Sequence, residues 1–424
     1  MPLDYPVTRH RLDNGLRVVV SQDHSAPIVA VNLWVGVGSR HEQPGRTGFA
    51  HLFEHLMFQG SANVAEGEHF SLLLAQGAQL NATTWCDRTN YFETVPSEAL
   101  DLALWLEADR HGRLLPAVTQ ANLDNQRDVV KEEKRQRYDN VPYGEAMTRL
   151  GELVFPQGHP YHHSTIGSMA DLDAASVDDV HAFYERHYRP DNTVLTLVGD
   201  ITEEAGFAAA ERYFGELTIP EQALPEVVSA PLPPLSAPLR LDITADVPAD
   251  RTYLGFRLPA DGSPEFTACE LAFDLLAGLA TSRLYRRMVR GEQLVTHVSR
   301  SATGRIDGTS MGMLVFDAAE GVSADRAEEV LCEELERLAQ VPPTEVEMAA
   351  VGADIERWWL QGLAQQDERA DTICGDALLH DDPGRLNAYL DRVAAITAED
   401  VCRAAATYLD PAARAVVRYA KEGN

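Results

Sequence analysis

Two histidines and a glutamate fall within five positions, His51-x-x-Glu54-His55, in the stretch "GFAHLFEHLMFQG" (residues 48–60). On a helix, residues four apart lie on one face about a turn from each other, so both imidazoles can reach one cation. Imidazole suits zinc, and a catalytic zinc commonly takes three protein ligands and a water. Glu54 lies near the same face, where its carboxylate would take a proton from that water. The flanks Phe49, Leu52, Phe53, Leu56, Met57 and Phe58 are apolar. Two imidazoles and a carboxylate in such surroundings call for a compensating cation. A helix with two histidines is half of a zinc site, so another element must supply a third ligand.

The elements around this helix can be read from pattern. "TRHRLDNGLRVVVSQD" alternates and turns at Asp13-Asn14-Gly15, a hairpin signal. "APIVAVNLWVGVGS" is apolar and β-rich and reads as a buried central strand. Residues 45–59 and 66–77 read as helices, residues 80–95 as one or two strands, and 97–115 and 119–138 as two further helices. "HRPDNTVLTLVGD" reaches a strand that ends at Gly199-Asp200. The stretch 217–239 is rich in proline, which removes donors and stiffens the chain, so it reads as a linker. The plan then restarts with a strand at "DRTYLGFRLP", a helical stretch over 264–289, a strand at "SMGMLVFDA" and helices over 323–339 and 344–367. The expected domains are 1–216, holding the metal helix, and 240–424, joined by the linker.

The chain has 424 residues, 45% of them hydrophobic, and a net charge of −29. That charge argues against non-specific binding to nucleic acid or to an anionic membrane and favours basic substrates. Five scattered cysteines without a CxxC pair read as reduced thiols in a cytoplasmic protein. The N-terminal residues lack the basic and apolar regions of a signal peptide. "IVAVNLWVGVG" is too short to span a membrane and contains Asn32.

H-x-x-E-H is the inverted zinc-peptidase signature. Together with "LNATT", "RDVVKEEKRQRYDN", the opening "LDNGLRVVV", "HPYHHSTIGS" and "TSRLYRRM", it resembles the M16 metallopeptidases. That family includes pitrilysin, insulin-degrading enzyme and the mitochondrial processing peptidase. At this length the chain is most similar to the short bacterial subfamily, M16B. The resemblance implies an α+β fold of two similar domains of the LuxS/M16 metallohydrolase type, each an antiparallel-rich sheet with helices packed on one face. It implies one zinc per chain and an acidic third ligand on a later helix. Glu132 and Glu133 compete for that role. Leu123, Gln126, Val130, Glu133 and Arg137 form a stripe spaced 3, 4, 3, 4 that carries the apolar residues and should face inward. Asn125, Asp128, Glu132 and Arg135 form a polar stripe. Glu133, 78 residues after His55, is therefore the expected ligand. Members often carry a second glutamate seven residues before the ligand. Here that position is the neutral Gln126, which can hydrogen-bond behind the ligands but adds no charge.

The resemblance also implies that "LNATTWCDRTNYFETV" holds an edge strand to which the substrate peptide adds, with Asn81 and Ala82 at the matching positions. His159, His162 and His163 lie in a proline- and glycine-containing loop and read as a landmark of that loop, not as ligands. Active members take an arginine and a tyrosine from the second half to stabilise the tetrahedral intermediate. Met313 or a neighbour stands where the arginine is expected, and Arg283 and Tyr285 read as structural. The implied function is hydrolysis of short or unfolded peptides in a chamber, with a second M16-like subunit supplying the arginine and tyrosine, or a homodimer in its place. An alternative job for the same enzyme, which the sequence does not separate from general cleavage, is processing of one dedicated precursor (leader) peptide; a non-catalytic assembly subunit, which would have lost the metal residues, fits less well.

Overall fold

A computed structural model of the chain describes residues 3–422. The chain opens with β1 (Thr8–Arg11), β2 (Arg17–Gln22) and β3 (Ile28–Val35). Two short helices, α1 (Phe49–Leu56) and α2 (Glu68–Ala75), lead to the hairpin of β4 (Gln79–Thr84) and β5 (Thr89–Pro96). Next come α3 (Leu100–Arg113), α4 (Gln120–Lys134), α5 (Ala146–Val154), α6 (Met169–Asp173), α7 (Val177–His187), β6 (Thr193–Gly199) and α8 (Glu203–Phe214). Residues 215–238 hold no helix or strand. The rest comprises β7 (Leu239–Ala245), β8 (Arg251–Pro259), α9 (Pro264–Ala277), β9 (Val295–Thr303), β10 (Thr309–Ala318), α10 (Ala324–Gln340), α11 (Glu345–Leu363), α12 (Gln366–Leu379), α13 (Tyr389–Ala394), α14 (Ala398–Tyr408) and β11 (Ala415–Lys421).

The turn at Asp13-Asn14-Gly15 forms because Gly15 takes φ +85, which favours glycine. Asn14 Nδ2 then ties the turn to the Phe214 carbonyl at 2.7 Å. The mixed α+β class with two sheets is as expected. One sheet has six strands in the order β1-β2-β6-β3-β5-β4, and the other has five in the order β7-β11-β8-β10-β9. Each contains a single parallel pair, β2 with β6 and β7 with β11, and the other pairs are antiparallel.

Two compact units contain these sheets. Unit 1 comprises residues 1–132, 164–227 and 359–389, and unit 2 comprises 133–163, 228–358 and 390–424. In unit 1, Val18, Val20, Val31 and Leu197 pack with Ala103, Leu104 and Ala210 of α3 and α8. On the opposite face Val19, Ala30, Trp34 and Val198 pack with Ile373, Cys374 and Ala377 of α12. Helices on one face only, the arrangement expected above, are therefore corrected to helices on both. The cause is visible in β3: Val29 to Val35 are all buried, so both of its faces need cover. Unit 2 does the same. Gly255 faces Leu150 and Val154 of α5, whereas Gly312 and Phe256 face Phe273 of α9.

Candidate active site

The helix α1 divides by face. Phe49, Ala50, Leu52, Phe53 and Leu56 are buried, and His51, Glu54 and His55 are only partly so. Phe53 fixes the underside, with its ring 5.4 Å from Phe183, 5.8 Å from Tyr184 and 4.5 Å from Tyr188. The imidazoles of His51 and His55 are thereby turned the same way, ring centroids 4.8 Å apart.

The N-terminus of α1 is unusual. Its N-cap, Gly48, has φ +88 and offers no side chain to the exposed N–H groups. A Cβ there would lie 2.7 Å from the Ile166 carbonyl oxygen, so an ordinary capping residue does not fit. Glu42 takes over: its Oε2 accepts from Gly48 N at 2.9 Å and its Oε1 from Ala50 N at 2.8 Å. Desolvation pushes the Glu42 pKa above the usual carboxylate range, against the downward pull of those N–H donors. Asp171 braces the preceding residue, accepting from Thr47 N at 2.9 Å and Thr47 Oγ1 at 2.6 Å. Neither brace was found from the sequence. The one available signal was a glycine at the N-cap, which implies a cap from elsewhere.

The third residue arrives on α4. Leu123, Gln126 and Val130 are buried, Glu133 is partly buried, and Asn125, Asp128, Glu132 and Arg135 are exposed. Arg137 departs from the expected inward stripe, its side chain 73% exposed. The α-helix ends at Lys134 and Arg135–Asp139 wind as a π-turn, which rotates the later residues out of phase. Arg137 Nη1 reaches back to Glu133 Oε1 at 2.8 Å. One ligand atom from each of His51, His55 and Glu133 lies within 4.8 Å of the others. Three such atoms share a point within about 2.8 Å of each, so a small contraction brings them to the ~2.0–2.2 Å of zinc bonds to nitrogen and oxygen. The donor set, two imidazoles and a carboxylate, also fits zinc.

Glu54 lies between the histidines on α1, and Thr84 Oγ1 donates to its Oε2 at 2.5 Å. Thr84 ends β4, the terminal strand of its sheet, so no strand among the described residues pairs with its outer edge. Asn81 and Ala82 both lie on β4. Asn81 is exposed and Ala82 buried, and Asn81 Oδ1 accepts from Ala82 N at 2.9 Å. Behind α1, Arg110 is sandwiched between the rings of Phe58 and Tyr91, at 4.6 and 4.4 Å. The Tyr91 and Tyr188 hydroxyls meet at 2.7 Å. Burial first, with the nearby Glu54 charge among the lesser causes, holds both phenols above their ordinary pKa.

The other residues singled out in the sequence have local roles. His159 stacks on Phe155 with centroids 5.1 Å apart, and His162 Nδ1 meets the Phe155 carbonyl at 2.7 Å. Arg283 makes two bonds to Glu347, at 2.7 and 3.0 Å. Met313 pairs in β10 with Gly255 and Ser301.

Residues 17–149 match the model of the insulinase family (peptidase family M16), and residues 174–351 match the M16 inactive domain. The chain belongs to peptidase family M16. One curated M16-like relative, Zinc protease PqqE of Helicobacter pylori, is 27% identical over 405 residues, covering 94% of this chain and 89% of that protein. The crystal structure of a protease from Helicobacter pylori superposes with a TM-score of 0.91 at 25% identity, over 98% of this chain and 99% of that one. Subunit 1 of the bovine mitochondrial cytochrome b-c1 complex is 29% identical over 217 residues, covering 51% of this chain and 44% of that protein. Among the described residues, no helix is long and apolar enough to cross a membrane.

Proposed function

We propose that the chain is a zinc metallopeptidase subunit that hydrolyses short or unfolded peptides. The observation that carries this reading is the convergence of His51, His55 and Glu133 within 4.8 Å, with Glu54 between the histidines on the same helix. His51, His55 and Glu133 would hold one zinc, which when bound polarises a carbonyl and makes water a nucleophile near neutral pH. Glu54 accepts the proton of the attacking water and delivers it to the leaving amine. Thr84 orients the Glu54 carboxylate through its hydroxyl. The open edge of β4, at Asn81 and Ala82, aligns the peptide by backbone hydrogen bonds and so tolerates many side chains.

A non-catalytic role, suited to a relative in a respiratory complex, accounts less well for the retention of all four polar residues of the site. We propose further that a second M16-like chain completes the site with an arginine and a tyrosine. We also propose that the protein is cytoplasmic, in keeping with five scattered cysteines that form no CxxC pair. The test is cleavage of a quenched fluorescent peptide library by the purified chain, with zinc measured on the same sample. Chelator-sensitive cleavage that Glu54→Gln abolishes supports the peptidase reading. Bound zinc without cleavage, restored by adding a related subunit, supports the partner. Absence of zinc from a folded, metal-supplied sample overturns the assignment.

A further inference from the structure

Unit 2 repeats the plan of unit 1 with one strand fewer. In unit 1 the strands β2-β6-β3-β5-β4 are joined on the outside by β1, antiparallel to β2. The residues leading into β1, Leu3, Tyr5 and Val7, pack on the core that α12 makes with the sheet. Asn387 clamps Tyr5 at both its backbone N–H (2.9 Å) and its carbonyl (3.0 Å). In unit 2 the order β7-β11-β8-β10-β9 has the same single parallel pair at the same end. There α5 packs on β8 and β11 as α12 does on β3 and β6. Among the described residues no strand takes the place of β1: β7 is the terminal strand.

Where that strand and its lead-in would lie, unit 2 has a groove of about 1110 Å³. Alternate residues of β7, Leu241, Ile243 and Ala245, form its floor. One wall is Tyr143, a non-glycine residue at φ +62, a backbone conformation that costs energy and persists only where contacts impose it. Those contacts are present. The Tyr143 hydroxyl donates to the Ala249 carbonyl at 2.6 Å, the Arg251 guanidinium lies 4.1 Å from the ring centroid, and Tyr419 packs edge-on at 5.5 Å. The wall is thus fixed in place before anything binds. Four carboxylates, Asp139, Glu145, Glu152 and Asp246, line the groove; Lys134 pairs with Asp139 and Arg149 with Glu145 and Glu152, so acid still outnumbers base four to two.

We propose that this groove and the free edge of β7 form a docking site for an extended cationic peptide segment, which adds to the sheet as β1 adds to β2. Backbone pairing supplies affinity, the apolar floor takes alternate side chains, and the acidic lining selects positive charge. The template for such an occupant is in the chain itself: "LDYPVTRHR", residues 3–11, combines apolar residues at alternate positions with arginines. The site needs no metal and no cleavage, so it stands whether or not the peptidase reading does.

The probe is a fluorescent peptide of residues 3–13, titrated by anisotropy into the full chain carrying Glu54→Gln, which prevents turnover. Saturable binding is expected, weakened at least tenfold by Ile243→Arg. No saturable binding, or binding lost with Asn81→Lys on the edge of β4 and kept with Ile243→Arg, overturns the proposal. So does a dimer of this chain that Ile243→Arg dissociates without any peptide having bound, because the edge would then be closed by a second copy. Hydrogen exchange with the β7 sequence unaltered guards against misfolding of the variant. Slowed exchange over residues 239–245 on adding peptide supports the site, and unchanged exchange there refutes it.

Discussion

Replacing Glu42 by alanine should weaken zinc binding without touching a ligand. The carboxylate accepts from Gly48 N and Ala50 N at the start of α1, at 2.9 and 2.8 Å. Gly48 cannot be replaced by a conventional cap, because of its φ of +88 and the Ile166 carbonyl 2.7 Å from where a Cβ would sit. The variant therefore leaves N–H groups at the helix start without their acceptor, at a cost of about 1–3 kcal/mol. Loss of an N-cap costs about 1 kcal/mol in typical cases, at the lower end of that range. α1 has only eight residues, and His51 is its third, so fraying of the first turn reaches a ligand directly. If the metal must re-form that turn, its affinity falls by the same free energy, about tenfold to a hundredfold. Chelator competition measures the affinity, and melting with and without zinc provides the control. The expected result is a weaker zinc affinity and a smaller zinc-induced rise in Tm. An equal drop in both melting temperatures with unchanged affinity would refute the coupling and leave Glu42 a general stabiliser.

Glu54→Gln should retain zinc and lose cleavage, measured by metal analysis beside the peptide assay. His55→Ala and Glu133→Gln should both lose zinc while Glu132→Gln keeps it; the reverse order for the two glutamates would show that the wrong face of α4 had been chosen. Thr84→Val removes the hydroxyl that donates to Glu54, and a hydrogen bond to a charged group is worth about 1.5–3 kcal/mol, so kcat should fall about tenfold or more with zinc content unchanged. The Arg283 guanidinium holds the Glu347 carboxyl down at about 2. Because the folded value is depressed, the pair stabilises the native state above the ordinary carboxylate pKa and loses that contribution as pH falls through it toward 2. The stability gap between wild type and Glu347→Gln, from denaturant melts, should be constant above pH 5 and close below pH 4. A chain ending at residue 239 should fail to give a stable, soluble fold, because α12, which buries Ala30, Trp34, Val194 and Val198, would be missing; a cooperative melt of that fragment would contradict the packing argument.

What could be read from the sequence was local. The helix α1 rests on a spacing of four and the hairpin at Gly15 on alternation and its turn residues, and both signals act within one element. The reading of Arg137 failed at a local irregularity, the π-turn after Lys134, which no spacing rule anticipates. Glu42 was missed for another reason. It serves α1 from six residues upstream, through its carboxylate alone, and only the crowding around Gly48 explains why a distant cap is needed.

The largest gap was the exchange of helices between the two halves of the sequence, and its cause is written in one strand. "IVAVNLWV" has no polar face, because Asn32 is itself buried and bonded to Asp371 of α12 at 3.0 Å. A strand buried on both sides needs two layers of helix. The helices that follow in sequence, α3 and α8, supply only one of them. The second layer comes from α12, more than three hundred residues after β3, and Asp371 joins it to the sheet at three points: Asn32, Trp34 and Asn90. The apolar run thus announced that a second layer must exist. What it could not announce was the origin of that layer, since nothing in a run of valines and leucines distinguishes one amphipathic helix from another. The buried asparagines carry that distinction, because the Asn32 and Asn90 amide groups both donate to one carboxylate, Asp371, brought to one register position.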